Sequence, residues 1–73
     1  MGRLGVFSGR QVCVILMRHG FEMVRQRGSH VVMQRTLSGS TITVPVPAHD
    51  EIKLGTLQSI IRQSGLPRSE FEV

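Results

Sequence analysis

The sequence contains no tryptophan, no tyrosine and only three phenylalanines. Binders of single-stranded nucleic acid stack bases on aromatic rings, so recognition of that kind has little to work with here. There is one cysteine, Cys13, which excludes an internal disulfide, and no CxxC or Cys/His cluster has the spacing of a zinc site. Cys13 lies in the apolar run VCVILM, residues 12–17, where it reads as a small buried hydrophobe. A lone cysteine fits a reducing cytoplasm. A membrane span needs roughly 20 apolar residues; this run stops at Arg18, so no crossing is expected. The opening MGRLGVFSGR has no signal-peptide core. GxGxxG, the P-loop and the GxSxG elbow are all absent, and the few carboxylates form no convincing pair. The sequence therefore predicts no metal and no cofactor.

With 73 residues the chain has room for one small domain. A domain this size buries only about 60% of the surface its unfolded chain exposes, so the core is thin and no deep substrate cavity is expected. The expectation is a single domain over residues 1–73, with an ordered core from about 7 to 72 and a loose terminus over 1–6. Formal net charge is +4, unevenly spread. Residues 1–49 carry six arginines against Glu22 alone, giving +5. Residues 50–73 carry Lys53, Arg62 and Arg68 against Asp50, Glu51, Glu70 and Glu72, giving −1. A basic face of this kind suits a polyanion or an acidic partner.

FSGRQVCVILMRHG reads as a helix with both ends marked. Ser8 and Gln11 fit a capping box, and Phe7 with Val12 fits the hydrophobic staple that accompanies it. Val12, Ile15, Leu16 and His19 recur at helical spacing, and Gly20 supplies the stop. FEMVRQRG then reads as a strand with Phe21, Met23 and Arg25 on one face and Glu22, Val24 and Gln26 on the other. Gly28-Ser29 is a turn, HVVMQRT a second strand, SGS at 38–40 another turn, and TITVPV a third strand with clean alternation. Pro45 cannot donate to a ladder, which places that strand at an edge or leaves it unpaired there. Val31 and Met33 join Ile42 and Val44 against the helices, so His30 falls on the opposite, open face. PAHDEIKL connects to a second helix, GTLQSIIRQSG. Its buried stripe is Leu57, Ile60 and Ile61, with Leu54 leading in. LPRSEFEV forms a short final turn that packs Phe71. The predicted class is α+β: helix, three-stranded antiparallel sheet, helix and a C-terminal helical turn, both main helices on one sheet face.

RQRGSH, residues 25–30, carries the sharpest chemical signal. Histidine titrates near neutrality and can take the proton of a ribose 2′-OH. The freed oxygen attacks the adjoining phosphate, and arginines hold that phosphate and the charge building on it. His30 with Arg25 and Arg27 meets those needs; the plain alternative is a polar turn. His19, in the last helical turn, reads as a residue suited to a helix C-terminus, and His49 reads as a loop residue. The start of the second helix is another anion site, because its first N–H groups lack intrahelical partners. Gly55 admits a phosphate to the backbone, Thr56 adds a hydroxyl and Lys53 a charge; alternatively, Gly55 and Thr56 only begin a helix.

Three motifs in order resemble one family. SGRQVCVILMRHGFEMVRQRGSHVVM carries a helix, then GF, then R-x-x-GSH with an apolar residue three further on. TVPVPAH is similar to a V-P-x-H segment, and IKLGTLQSIIRQSGLPRSEF to GTL-x-x-I-x-R-x-xG. The pattern, from about Ser8 to Phe71, resembles the HicA toxins of bacterial toxin–antitoxin pairs. The resemblance implies a double-stranded-RNA-binding-domain-like fold, a ribosome-independent mRNA interferase and a cognate antitoxin of the HicB type. It implies that His30 is the essential histidine, with Gly28 and Ser29 in the same motif and His49, Gly55 and Thr56 in the other two. Lys53 stands alone where double-stranded-RNA binders commonly have several lysines. The acid that protonates the leaving group is left open between His49 and a water. Two other readings compete: a non-catalytic RNA-binding module, and a protein-interaction domain that docks an acidic partner.

Overall fold

The computed structural model describes residues 2–73. Among these, the order is α1 (Gly9–Arg18), β1 (Glu22–Arg27), β2 (His30–Leu37), β3 (Ser40–Pro47), α2 (Leu54–Ser64) and a 3₁₀ turn (Arg68–Phe71). This is the α+β order expected from the sequence. The apolar run 12–17 is helical because its ends are specified. Ser8 Oγ accepts from the Gln11 N–H at 3.1 Å, and Gln11 Oε1 accepts from the Ser8 N–H at 2.9 Å. Such a cap contributes about 1 kcal/mol. At the other end, the His19 and Gly20 N–H groups donate to the Leu16 and Met17 carbonyls.

The strands form one antiparallel sheet in the order β1-β2-β3. Met33 lies opposite Val44 and Val31 opposite Val46, so these residues share a face. Both helices pack there: Val12 and Leu16 of α1 and Leu57 and Ile60 of α2 join Met33, Val44, Val46, Ile52 and Phe71 in one core cluster. Full burial of each aliphatic side chain stabilises the fold by roughly 1.5–3 kcal/mol. β3 is an edge strand, where Pro45 and Pro47 leave no gap in an interior ladder.

β1 departs from the expected alternation. Met23 pairs with Met33, but Arg25 pairs with Val32, so Val24 is an extra residue in a β-bulge. A bulge shifts the side-chain phase by one. Arg25 therefore leaves the face of Met23 and joins Arg27, opposite His30, on the open side of the sheet. Gln26 turns the other way and lines a recess with Met23, Met33 and Cys13 against α1.

Two further expectations are corrected. Leu54 does not lead into the buried stripe of α2; it is exposed at the first helical position, ahead of the turn that meets the core. Ser64 is buried in its place at the far end, donating to the Ile61 carbonyl at 2.8 Å and accepting from the Leu66 N–H at 3.1 Å. The segment expected to be loose is tied down. Leu4 bridges antiparallel to Glu72, the Gly5 N–H donates to the Phe71 carbonyl, and the Val73 N–H donates to Arg3. Met1 lies outside the described residues. Phe7 meets the buried Phe71 edge to face, with ring centroids 6.4 Å apart. His19 Nε2 lies 2.7 Å from Glu70 Oε1, joining the end of α1 to the 3₁₀ turn.

Candidate functional site

The corner at 28–29 is a two-residue hairpin loop between the paired Arg27 and His30. Gly28 has φ +58° and Ser29 has a negative φ. Positive φ at the first central position and not at the second is the II′ pattern, which suits the right-handed twist of the strands and favours glycine. The turn thus fixes where β2 begins, and β2 begins with His30.

The loop after β3 is held by three backbone hydrogen bonds, one to this corner and two to the entry of α1. The Ala48 N–H donates to the Ser29 carbonyl, the Gly9 N–H to the His49 carbonyl at 2.9 Å, and the Ile52 N–H to the Phe7 carbonyl at 2.7 Å. The first of these continues the β2–β3 pairing one step beyond His30 opposite Pro47. Gly9 is glycine because of the close approach: a Cβ there would fall well under 3.0 Å from the Pro47 carbonyl oxygen. Neither Gly9 nor Ala48 was singled out from the sequence. The one available signal was a glycine directly after a helix cap.

These constraints bring separated stretches together. His30, Pro47, His49, Ile52, Lys53 and Thr56 line one shallow cavity of about 330 Å³. The GSH, VPAH and KLGTL segments therefore meet at one place. Lys53 caps α2 with its backbone only: its carbonyl accepts from the Leu57 N–H at 2.9 Å, and no side chain caps the first turn. N–H groups at an uncapped helix start favour an anion. Gly55, in that turn, is exposed and has no atom within 4 Å of where a Cβ would stand, so its backbone is open to approach. His30, His49 and Lys53 are exposed and Thr56 is half-buried.

Arg25, Arg27, Gly28 and Ser29 do not line this cavity. Both arginines lie on the open sheet face beside it, Arg27 directly across from His30. Ser29 contributes its carbonyl to the Ala48 pin, and its side chain is exposed. Arg10 was not anticipated. It lines an adjoining recess of about 390 Å³ with Ser8, Ala48, His49 and Asp50, so His49 stands between two recesses. Cys13 is elsewhere, in the apolar recess under β1, where burial pushes its thiol pKa up. Among the described residues, no three or more of His, Cys, Asp and Glu are grouped so as to hold a metal ion. Nor is any helix long and apolar enough to cross a membrane.

A family model described as the HicA toxin of bacterial toxin–antitoxin systems matches residues 9–66. The match takes in His30, His49, Lys53, Gly55 and Thr56. Comparison with curated proteins gives no match.

Proposed function

Because the chain belongs to the HicA toxin family of bacterial toxin–antitoxin systems, we propose that it is a metal-independent endoribonuclease acting on mRNA without the ribosome. The observation that carries this reading is one cavity lined by His30, Lys53 and Thr56 at the uncapped start of α2. The RNA phosphate sits at that helix start, where backbone N–H groups, the Lys53 ammonium and the Thr56 hydroxyl meet its oxygens, with Gly55 leaving the approach clear. Arg25 and Arg27 hold neighbouring phosphates along the open sheet face.

His30 is the general base. It takes the proton from the ribose 2′-OH, the 2′ oxygen attacks phosphorus, and the strand breaks with a 2′,3′-cyclic phosphate on one side and a 5′-hydroxyl on the other. A positioned base contributes about 10²–10⁴-fold. Cations and N–H groups aimed at the phosphorane charge contribute further. The Gly-Ser turn supports the role by fixing the backbone at His30, and the loop pins support it by holding Lys53 and Thr56 close by.

A toxin–antitoxin family implies an antitoxin as partner. We place an antitoxin of the HicB type over His30 and the two arginines, and the pair in the cytoplasm. The test is cleavage of a defined RNA in EDTA by the parent chain and by His30→Ala, whose fold is checked by circular dichroism. The expected result is cleavage by the parent with cyclic-phosphate ends and none by the folded variant. Products with 5′-phosphate ends, or equal cleavage by both proteins, would refute the mechanism. RNA retention without strand breaks would leave a binding module.

A further inference from the structure

We propose that His49 is the general acid of this cleavage, an assignment that rests on the reading of His30 as base. Both histidines line the same cavity. The backbone sets their relation. His30 pairs with Pro47, and the Ala48 N–H bond to Ser29 carries the pairing one step further, so His49 follows directly on the last paired residue, two positions on from the partner of His30. Positions so related in a continuing antiparallel ladder stand about 7–8 Å apart. Two imidazole rings reaching in from that separation leave room for one phosphodiester between them.

His49 is also held in place. Its carbonyl accepts from the Gly9 N–H at 2.9 Å, and α1 begins with glycine so that the chain can pass this close. Its side chain is left free and exposed. The charged groups around it are Lys53 in the shared cavity, and Arg10 and Asp50 in the adjoining recess. Lys53, Thr56 and the N–H groups of α2 are taken up with the phosphate, and the remaining lining residues, Pro47 and Ile52, carry no side-chain acid.

The step balances with two protons. The neutral ring of His30 takes the 2′-OH proton as the bond from the 2′ oxygen to phosphorus forms. The bond from phosphorus to the 5′ oxygen breaks, and His49, entering as imidazolium, gives its proton to that oxygen. His30 leaves protonated and His49 neutral, and exchange with water resets both. No other reactant is needed.

A leaving group that needs no proton separates the two roles. An RNA oligonucleotide cut by the parent chain is resynthesised with sulfur in place of the 5′ bridging oxygen at the mapped bond. Parent, His30→Ala and His49→Ala are compared on both substrates. Both positions are exposed and both backbone pins remain, so the variants keep the fold, which circular dichroism verifies. His49→Ala is expected to cut the normal oligonucleotide about 10²–10⁴-fold more slowly than the parent and the sulfur substrate within about tenfold of it. His30→Ala is expected to be slow on both. Equal slowing of His49→Ala on both substrates, or parental rates on both, would overturn the acid and leave the base standing. Parental cleavage by His30→Ala would overturn the base and the pair with it, as would a parent chain that cuts none of the RNAs offered for mapping.

Discussion

Replacing Gly9 by alanine pushes a methyl group against the end of β3. The new Cβ would meet the Pro47 carbonyl oxygen well under 3.0 Å, the Pro47 carbonyl carbon at 3.1 Å and Ala48 Cα at 3.2 Å. All three are backbone atoms, so no side chain can rotate away. The start of α1 must retreat, and in doing so it breaks the Gly9 N–H bond to His49. Losing one hydrogen bond costs about 1 kcal/mol, and overpacking adds about 1–3 kcal/mol. The sum, about 2–4 kcal/mol, is a large share of the ~5 kcal/mol a small domain commands. At ~1 kcal/mol per molar urea, the unfolding midpoint falls by about 2 M or more. Gly55→Ala is the matched control. It sits in a helix, has nothing within 4 Å of its Cβ position, and gains up to about 1 kcal/mol of helix propensity. Its midpoint should not fall, yet its cleavage rate should, because the methyl stands where the phosphate approaches. A Gly9→Ala midpoint equal to the parent's, or a Gly55→Ala loss as large as that of Gly9→Ala, would refute this account of the packing.

Three other outcomes follow from the same geometry. Deleting Val24 removes the extra residue of the bulge but leaves Arg25 opposite Val32; stability should change by under about 1 kcal/mol and RNA affinity should hold, whereas a sharp fall in affinity would mean that the arginines had turned toward α1. Gly28→Ala meets no atom but must hold φ +58°, at a cost of about 1–3 kcal/mol; thermal melts should show a fall of several degrees, and a parental melt would argue against the turn assignment. Burial raises the Cys13 pKa, so the fold favours the thiol over the thiolate. That contribution is present at neutral pH and lost as pH climbs above the unfolded value of about 8.5. Alkylation at pH 8 should accordingly be several-fold slower than in guanidinium, and equal rates would contradict it.

Much of the architecture is legible because its signals are local. Ser8, Gln11 and Gly20 mark a helix that an apolar run alone leaves ambiguous, and TITVPV alternates so cleanly that its buried face follows directly. Period two from Val31 and Met33 also puts His30 out of phase with the core-facing residues, as its pairing with Pro47 bears out. The bulge has no such signal. EMVRQR alternates acceptably in either phase, and only the partner strand decides which residue is extra. Leu54 reads as core by spacing but sits ahead of the first turn that touches the sheet, and the pairing of residues 3–5 with 71–73 depends on tertiary closure. The candidate site divides the same way. GSH and the start of α2 are visible as chemistry in the sequence, but His30 and His49 are 19 positions apart. Their meeting depends on the hydrogen bonds of Ala48 and Gly9, which no spacing announces.

The antiparallel contact between Leu4 and Glu72 also bears on how the chain reaches this state. It closes a loop that takes in both helices and the whole sheet, and loops of that span form late, because their entropy must be met before their contacts reward it. A chain made from its N-terminus can pair its strands while residues 71–73 are still to come. Until they arrive, Phe7 lacks the Phe71 ring, the core lacks its largest fully buried side chain, and residues 3–5 lack their backbone partners. The order of synthesis thus imposes an interval in which the hairpins exist without their clasp, exposed to proteases at the segment that leads into α1.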